Sequence, residues 1–350
     1  MMLIGEKDNN CDNFEFWNDE EFNNFVVIGL GWLGDTLLAD GVCKNIKYYN
    51  PKAHITFVVL KAFADIPKLI PEVDDIVIFD KNVDHKGLLG YLKFARLFHC
   101  KKNDLAIIIH PHERSLLCAK ATGAKKILSL PLKGAFNPLN LMINEKREYI
   151  EEEIRNEYKN DYNADYLNIV GISTKKYTPA FFVPDYVSID KFNLPEKYIV
   201  LVPEGKDELK HWDYKNLSLF VKNSNIPVVL TGTAKTQELA EKLINDGINF
   251  INLCGQTSIL ELALLLKKSY ATVSVDTGSM HLAYGLGVQT ICLFFVEEMV
   301  NEWLAKDLSN VHLLLGKKFR SNGKVITQRT IDYRDVLKVV ESVGVEYAQV

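Results

Sequence analysis

Two short stretches of this sequence combine residue types and spacing that suit chemistry. In the first, Gly29-Leu30-Gly31-Trp32-Leu33-Gly34-Asp35 follows an apolar run and precedes a segment whose Leu38, Val42 and Ile46 share one helical face. Glycines at such a turn let a ligand come close. The dipole of the following helix favours the charged form of Asp35, which suits a general base and equally suits a helix cap. In the second, Val273-Ser274-Val275 ends a strand-like run, and Asp276-Thr277-Gly278 turns into a helix carrying Met280, Ala283 and Leu286. Free amides at that N-terminus, with the Thr277 hydroxyl, make an anion site suited to a diphosphate. Asp276 is placed to accept hydrogen bonds from sugar hydroxyls. His281, one turn in, either donates to a phosphate or braces the loop.

Three other readings of these motifs meet obstacles. Literally, residues 29–34 spell G-x-G-x-x-G, the dinucleotide fingerprint, which calls for an acidic residue at the end of the second strand. That strand, His54–Leu60, is followed by Lys61, and Trp32 crowds the place where backbone approaches a pyrophosphate. Asp-Thr-Gly also marks aspartic proteases, but on an all-β framework that this chain lacks. His110-Pro111-His112-Glu113 has no supporting third cluster, so no metal site is expected.

The elements that must hold these residues are legible from periodicity. Strand-like runs at Phe25–Leu30, His54–Leu60, Asp75–Phe79, Leu105–Ile109 and Lys126–Ser129 alternate with helical segments at Thr36–Tyr48, Leu88–Phe98 and Ser115–Thr122. A charged stretch from Glu145 to Asn168 reads as one more helix. Pro179, Pro184 and Pro195 mark a linker, after which the rhythm resumes at Tyr198–Val202 and ends in a helix at Tyr333–Val343. Continuous apolar strands joined by helices predict parallel sheets covered on both faces. The expected organisation is an N-terminal extension (1–23), a Rossmann-like domain (24–178), a linker (179–196) and a second Rossmann-like domain (197–350), with a ligand cleft between the two. The extension is acidic and Asn-rich, yet its Phe14, Phe16, Trp17 and Phe22 suit packing onto the body as well as a loose tail.

Bulk properties narrow the class. The chain has 350 residues, 47% hydrophobic, and a formal charge of −4, which gives material for two cores and no basic surplus for wrapping nucleic acid. Six scattered cysteines form no C-x-x-C pair, which suits a reducing, cytoplasmic setting. Neither a signal peptide nor a membrane-spanning run is expected, and no basic amphipathic helix stands out as a membrane anchor.

Gly31-Trp32-Leu33-Gly34-Asp35-Thr36-Leu37-Leu38 resembles the Ser-Leu-Gly-Asp-(Val/Ile)-Leu-Leu opening of glycosyltransferase family 9, the ADP-heptose:lipopolysaccharide heptosyltransferases. Lys210-His211-Trp212 is similar to the family's Lys-x-Trp-Pro block. Val273 to Ala283 is similar to its Val-x-x-Asp-Thr-Gly-x-x-His-Leu-Ala signature, the most specific of the three. The resemblance runs from about residue 25 to 343. It implies a GT-B fold, two Rossmann-like domains whose parallel sheets face an interdomain cleft, and metal-independent, inverting transfer of a sugar from a nucleotide diphosphate. On that pattern Asp35 is the base. Lys210, Asp276, Thr277, Gly278, His281 and Thr236 face the donor, and Gly34 and Arg114 lie on the acceptor side. No cofactor is implied beyond the nucleotide-sugar co-substrate, ADP-heptose by family default. The implied acceptor is a lipopolysaccharide core or related glycan, hence peripheral association with the inner membrane.

Three departures bear on the donor. Thr236 stands near the family's ribose-binding acid, with Glu238 two residues on; Asp213 replaces the proline; and Phe295-Val296-Glu297-Glu298 replaces a Gly-Pro-Thr-like loop. The competing classes are an NAD-dependent oxidoreductase using the first glycine loop, a non-catalytic protein of the same fold, and a GT-B-type sugar-nucleotide epimerase.

Overall fold

The computed structural model describes residues 22–99, 101–132, 137–146, 157–205, 207–321 and 324–346. Side chains alternate across each strand, so an apolar run builds two cores at once. In β1 (Asn24–Gly29), Phe25 and Val27 enter one buried cluster while Val26 and Ile28 enter another on the opposite face. β2 (His54–Leu60), β3 (Asp75–Phe79), β4 (Leu105–Ile108), β5 (Lys126–Ser129) and β6 (Glu145–Lys146) complete a parallel sheet ordered β3-β2-β1-β4-β5-β6. Its register pairs Phe25 with Ile55 and Leu105.

The second half repeats the plan. β7 (Ile199–Val202), β8 (Val228–Leu230), β9 (Ile251–Asn252), β10 (Ala271–Val275), β11 (Thr290–Phe294) and β12 (Val311–Leu315) form a parallel sheet ordered β9-β8-β7-β10-β11-β12. Counted from its own first strand, each sheet therefore runs 3-2-1-4-5-6. Each has a topological switch point, between β1 and β4 and between β7 and β10, where ligands bind beyond the strands' carboxyl ends. An antiparallel hairpin (Lys317–Ser321 with Lys324–Thr330) follows. The covering helices are α1 (Leu33–Leu37), α2 (Asp40–Tyr49), α3 (Gly87–Arg96), α4 (Glu113–Ala121), α5 (Lys159–Ala164), α6 (Tyr214–Asn223), α7 (Gln237–Asn245), α8 (Ile259–Lys267), α9 (Gly278–Gly285), α10 (Val300–Trp303) and α11 (Tyr333–Glu346). One apolar cluster belongs to both halves: Leu37, Ile66 and Leu69 pack with Val200, Leu282 and Ala283.

Two expected helices are broken. The one expected over Thr36–Tyr48 is split into α1 and α2 at Leu38–Ala39. The Asn163 side-chain amide donates to the Leu38 carbonyl at 3.0 Å, and Asn160 Oδ1 accepts from the Gly41 amide at 2.9 Å, so outside partners replace helical ones at the break. Those two asparagines come from the segment expected as a helix over Glu145–Asn168. Its ends are instead β6, then α5 and a 3₁₀ segment at Asp165–Val170; residues 147–156 lie outside the described residues. Of the N-terminal aromatics, Phe22 is buried in the first core, and Phe14, Phe16 and Trp17 lie outside the described residues.

Residues 172–189 hold no helix or strand, and a buried acid tethers them. Lys44 Nζ lies 2.7 Å from Asp40 Oδ2 and donates to the Thr178 carbonyl at 2.9 Å; the Ala180 amide also donates to Asp40. Burial pushes the Asp40 carboxyl up to about 7, against the pull of Lys44 and with a smaller push from Glu72. A carboxyl raised in the folded state contributes stability that is complete below its unfolded value near 4 and is lost as pH rises to about 7. Thermal unfolding from pH 5 to 7 is therefore expected to show a falling component of at most about 1.4 kcal/mol per pH unit. Asp40→Asn is expected to remove that component; an unchanged slope would assign it to another group.

Candidate functional site

All four loops at the two switch points carry residues singled out above. After β1, the chain turns through Trp32 into α1, and Asp35, its third residue, reaches back so that Oδ2 accepts from the Trp32 amide at 3.2 Å. A side chain on Gly31 would meet Asp35 Cβ at 2.9 Å, so this glycine makes room for the carboxyl group. Asp35 also lines a cleft of about 470 Å³. It thus helps fix the start of α1 while facing open space.

After β4, His110–Glu113 form another wall of that cleft. His112 Nδ1 accepts from the Ser115 amide at 3.0 Å and caps α4, while Nε2 lies 3.4 Å from the Leu30 carbonyl. Burial lowers its pKa, so the neutral ring ties α4 to the first glycine loop. Arg114 is exposed one residue beyond the wall. Leu130–Leu132, Asn137, Lys159, Glu302 and Trp303 close the cleft. No sequence motif marked these residues. Glu302 and Trp303 come from α10 in the second half, and burial raises the Glu302 carboxyl.

The loops after β7 and β10 meet each other. Lys210 Nζ lies 2.5 Å from Asp276 Oδ2, and a side chain on Gly205 would meet the Asp276 carbonyl at 3.4 Å. Asp276 is only 6% exposed, and burial raises its carboxyl while the Lys210 ammonium pulls it back. The cation and the acid expected to face the donor are therefore already paired. Thr277 is the extended N-cap of α9, and its side chain makes no capping bond there. The fate of the neighbouring motif residues is structural: Trp212 is buried, with its indole N–H donating to the Ile331 carbonyl at 2.9 Å, and Asp213 caps α6 by accepting from the Asn216 amide.

His281 is buried, and its pKa is pushed down to about 3 by that burial, with Lys210 adding to it. It is neutral at ordinary pH, and Nδ1 lies 2.5 Å from the Tyr284 hydroxyl, which pairs with the Tyr158 hydroxyl at 2.8 Å. Of its two expected roles, bracing is the one the contacts express. A side chain on Gly34 would meet His281 Cδ2 at 3.1 Å, with the Gly278 Cα 3.6 Å away, and one on Gly278 would lie 2.8 Å from the Gly34 amide nitrogen. The two switch points thus touch glycine to glycine, α1 against α9. Gly34 makes room for the opposing loop.

Thr236 is 3% exposed and turned under Gly232, where a side chain would overlap it. Glu238 is exposed in the first turn of α7. The dinucleotide reading also loses its footing, because Asp35 covers Gly31 and the opposing loop covers Gly34, the second and third glycines of the fingerprint. Lys61 is held by Asp80 at 2.8 Å.

Comparison with known proteins agrees with this fold. The family model described as "Glycosyltransferase family 9 (heptosyltransferase)" matches residues 139–313. That span holds Lys210 and Asp276–His281 and leaves Asp35 outside. The chain is 24% identical over 307 residues to a lipopolysaccharide core heptosyltransferase, OpsX, of Haemophilus influenzae, covering 82% of this chain and 83% of that one. A family 9 glycosyltransferase from Veillonella parvula superposes with a TM-score of 0.76 at 18% identity, over 93% of this chain and 98% of that one. The ADP-heptose lipopolysaccharide heptosyltransferase II of E. coli does so with a TM-score of 0.76 at 16% identity, over 93% and 99%. The fold is that of these proteins, GT-B.

Proposed function

The chain belongs to glycosyltransferase family 9, and from that premise we propose that it is an inverting, metal-independent transferase that moves a heptose from ADP-heptose to a hydroxyl of a lipopolysaccharide core or related glycan. The observation that carries the proposal is the meeting of two switch points, with Asp35 on the cleft from one side and the Lys210–Asp276 pair behind Thr277 on the other. Asp35 takes the proton of the acceptor hydroxyl, whose oxygen bonds to the anomeric carbon. The bond from that carbon to the diphosphate oxygen breaks, and its electron pair leaves with the diphosphate. Attack opposite the leaving group inverts the anomeric centre. The departing charge is met by Lys210, the Thr277 hydroxyl and the first amides of α9, a set that serves in place of a metal ion. Asp276, released from sole charge of Lys210 by the incoming phosphate, accepts from sugar hydroxyls. The work belongs to the cytoplasm, where the buried thiols of Cys43, Cys118, Cys254 and Cys292 stay reduced.

The test is calorimetric titration with ADP, UDP, GDP and NAD under one condition. Selective ADP binding is expected, and Lys210→Ala is expected to weaken it about 10- to 100-fold, the range of a charge-assisted hydrogen bond. Preference for UDP or GDP would keep the transferase and discard ADP-heptose. Preference for NAD, unmoved by Lys210→Ala, would overturn the proposal.

A further inference from the structure

α3 presents its leucines outward. Leu88 is 74% exposed and Leu89 81%, with Leu92 and Leu97 also on the surface. The opposite side of the helix is what packs: Gly90 and Phe94 are buried, and the Phe94 ring meets Phe79 and Phe98 edge-on at 5.1 and 5.4 Å. Gly90 lies so close to the His85 backbone that a side chain there would meet His85 Cα at 2.6 Å. The rotation of α3 about its axis is therefore fixed, and Leu88, Leu89 and Leu92 cannot turn inward.

Residues 81–102, which contain α3, carry six basic side chains against one acidic, in a chain that is acidic as a whole. Lys93 is paired with Asp84 and Lys101 with Asp75, whereas Lys81, Lys86 and Arg96 are exposed with no ion-pair partner among the described residues. At 100° per residue, Arg96 falls on the leucine face and Lys86 and Lys93 both border its Leu89 edge. Apolar side chains with cations among them and along one edge match an anionic bilayer, with leucines entering the acyl boundary and cations at the phosphates. A second copy of this chain fits worse, because a two-fold pairing would bring the basic fringes together. α3 has ten residues, so it is about 15 Å long, half of a ~30 Å hydrocarbon core. It is too short to cross a membrane.

We propose that α3 docks this protein onto an anionic lipid surface through Leu88, Leu89 and Leu92, with Lys86 and Arg96 at the headgroups. α3 packs on α4, whose first residues border the cleft, so docking holds the cleft beside the bilayer. In purpose, though not in observation, the inference rests on the reading of a lipid-borne acceptor.

The experiment is co-sedimentation of the full chain with phosphatidylglycerol–phosphatidylcholine vesicles and with phosphatidylcholine alone, at low and high salt. Binding to the anionic vesicles is expected, weakened by salt, with the triple variant Leu88→Ser, Leu89→Ser, Leu92→Ser reducing the bound fraction about tenfold or more. Lys86→Glu with Arg96→Glu is expected to abolish the preference for anionic lipid. ADP titration of each variant shows that the rest of the molecule is intact. Wild-type protein that stays in the supernatant, or a triple variant that binds as well as wild type, overturns the proposal. So does a dimer in sedimentation velocity that the triple variant dissolves, which would assign the face to a second copy. Vesicle binding without binding of ADP, UDP or GDP would sink the transferase reading and leave the docking surface standing; the reverse result would do the opposite.

Discussion

Asp35→Asn is expected to lower kcat about 10²- to 10⁴-fold, the usual worth of a general base, while ADP affinity stays within about twofold. The substitution discriminates because Asn keeps what the structure shows Asp35 doing for the fold. Its side-chain oxygen still accepts from the Trp32 amide, and it fits the space beside Gly31. The start of α1 should hold, with a melting temperature close to wild type. What Asn cannot do is take a proton. A loss in kcat without a loss of donor binding is the signature of an interaction made only as the reaction proceeds. Retention of a tenth or more of the activity would move the base to another carboxylate of the cleft, Glu113 or Glu302.

Gly278→Ala is expected to reduce kcat/KM about 10- to 100-fold and to destabilise the protein by about 1–3 kcal/mol. The new methyl would lie 2.5 Å from Leu33 Cγ and 2.8 Å from the Gly34 nitrogen. A leucine side chain can rotate away, but a backbone nitrogen fixed in α1 cannot. The two switch points must then part, separating Asp35 from the Lys210–Asp276 pair. Gly34→Ala should be milder, because its methyl meets the edge of the His281 ring at 3.1 Å, which a small shift relieves. Kinetics and urea unfolding of both variants check the order. Equal effects, or none from Gly278→Ala, would mean that the halves react while apart.

Strands were the most legible part of the sequence, because a strand buried on both faces needs an unbroken apolar run and β1, β4 and β7 supply one. Helix continuity was not. The break at Leu38 depends on Asn163, 125 residues away, and nothing local announces it. The site divided in the same way. Asp35 and Asp276–His281 sit in turns with their own local grammar, but the pairing of Lys210 with Asp276 spans 66 residues and appears only once β7 and β10 are neighbours. Glu302, Trp303 and Lys159 carry no motif and reach the cleft through topology alone. The turn of Thr236 under Gly232 cannot be read by counting along a pattern, because counting does not say which way a side chain points. α3 shows the same gap, since leucine and phenylalanine look alike to periodicity and only packing separates the outward residues from the inward ones.

The identical winding of the two sheets has a consequence for how such a protein can change. Each crevice opens at the carboxyl edge of its own sheet, and in the first the polar lining residues His110, Glu113 and Asn137 lie outside the cores, whereas Ile109, Leu130 and Leu132 belong to them. The polar residues after β4 and β5 can therefore drift, and with them what the first crevice admits, without a strand repacking. The pair after β7 and β10 keeps its grip meanwhile. Drift is forbidden at the glycine-to-glycine seam, because a change there is felt by both crevices at once. A descendant of this chain can inherit one substrate and exchange the other, provided the seam is passed on intact.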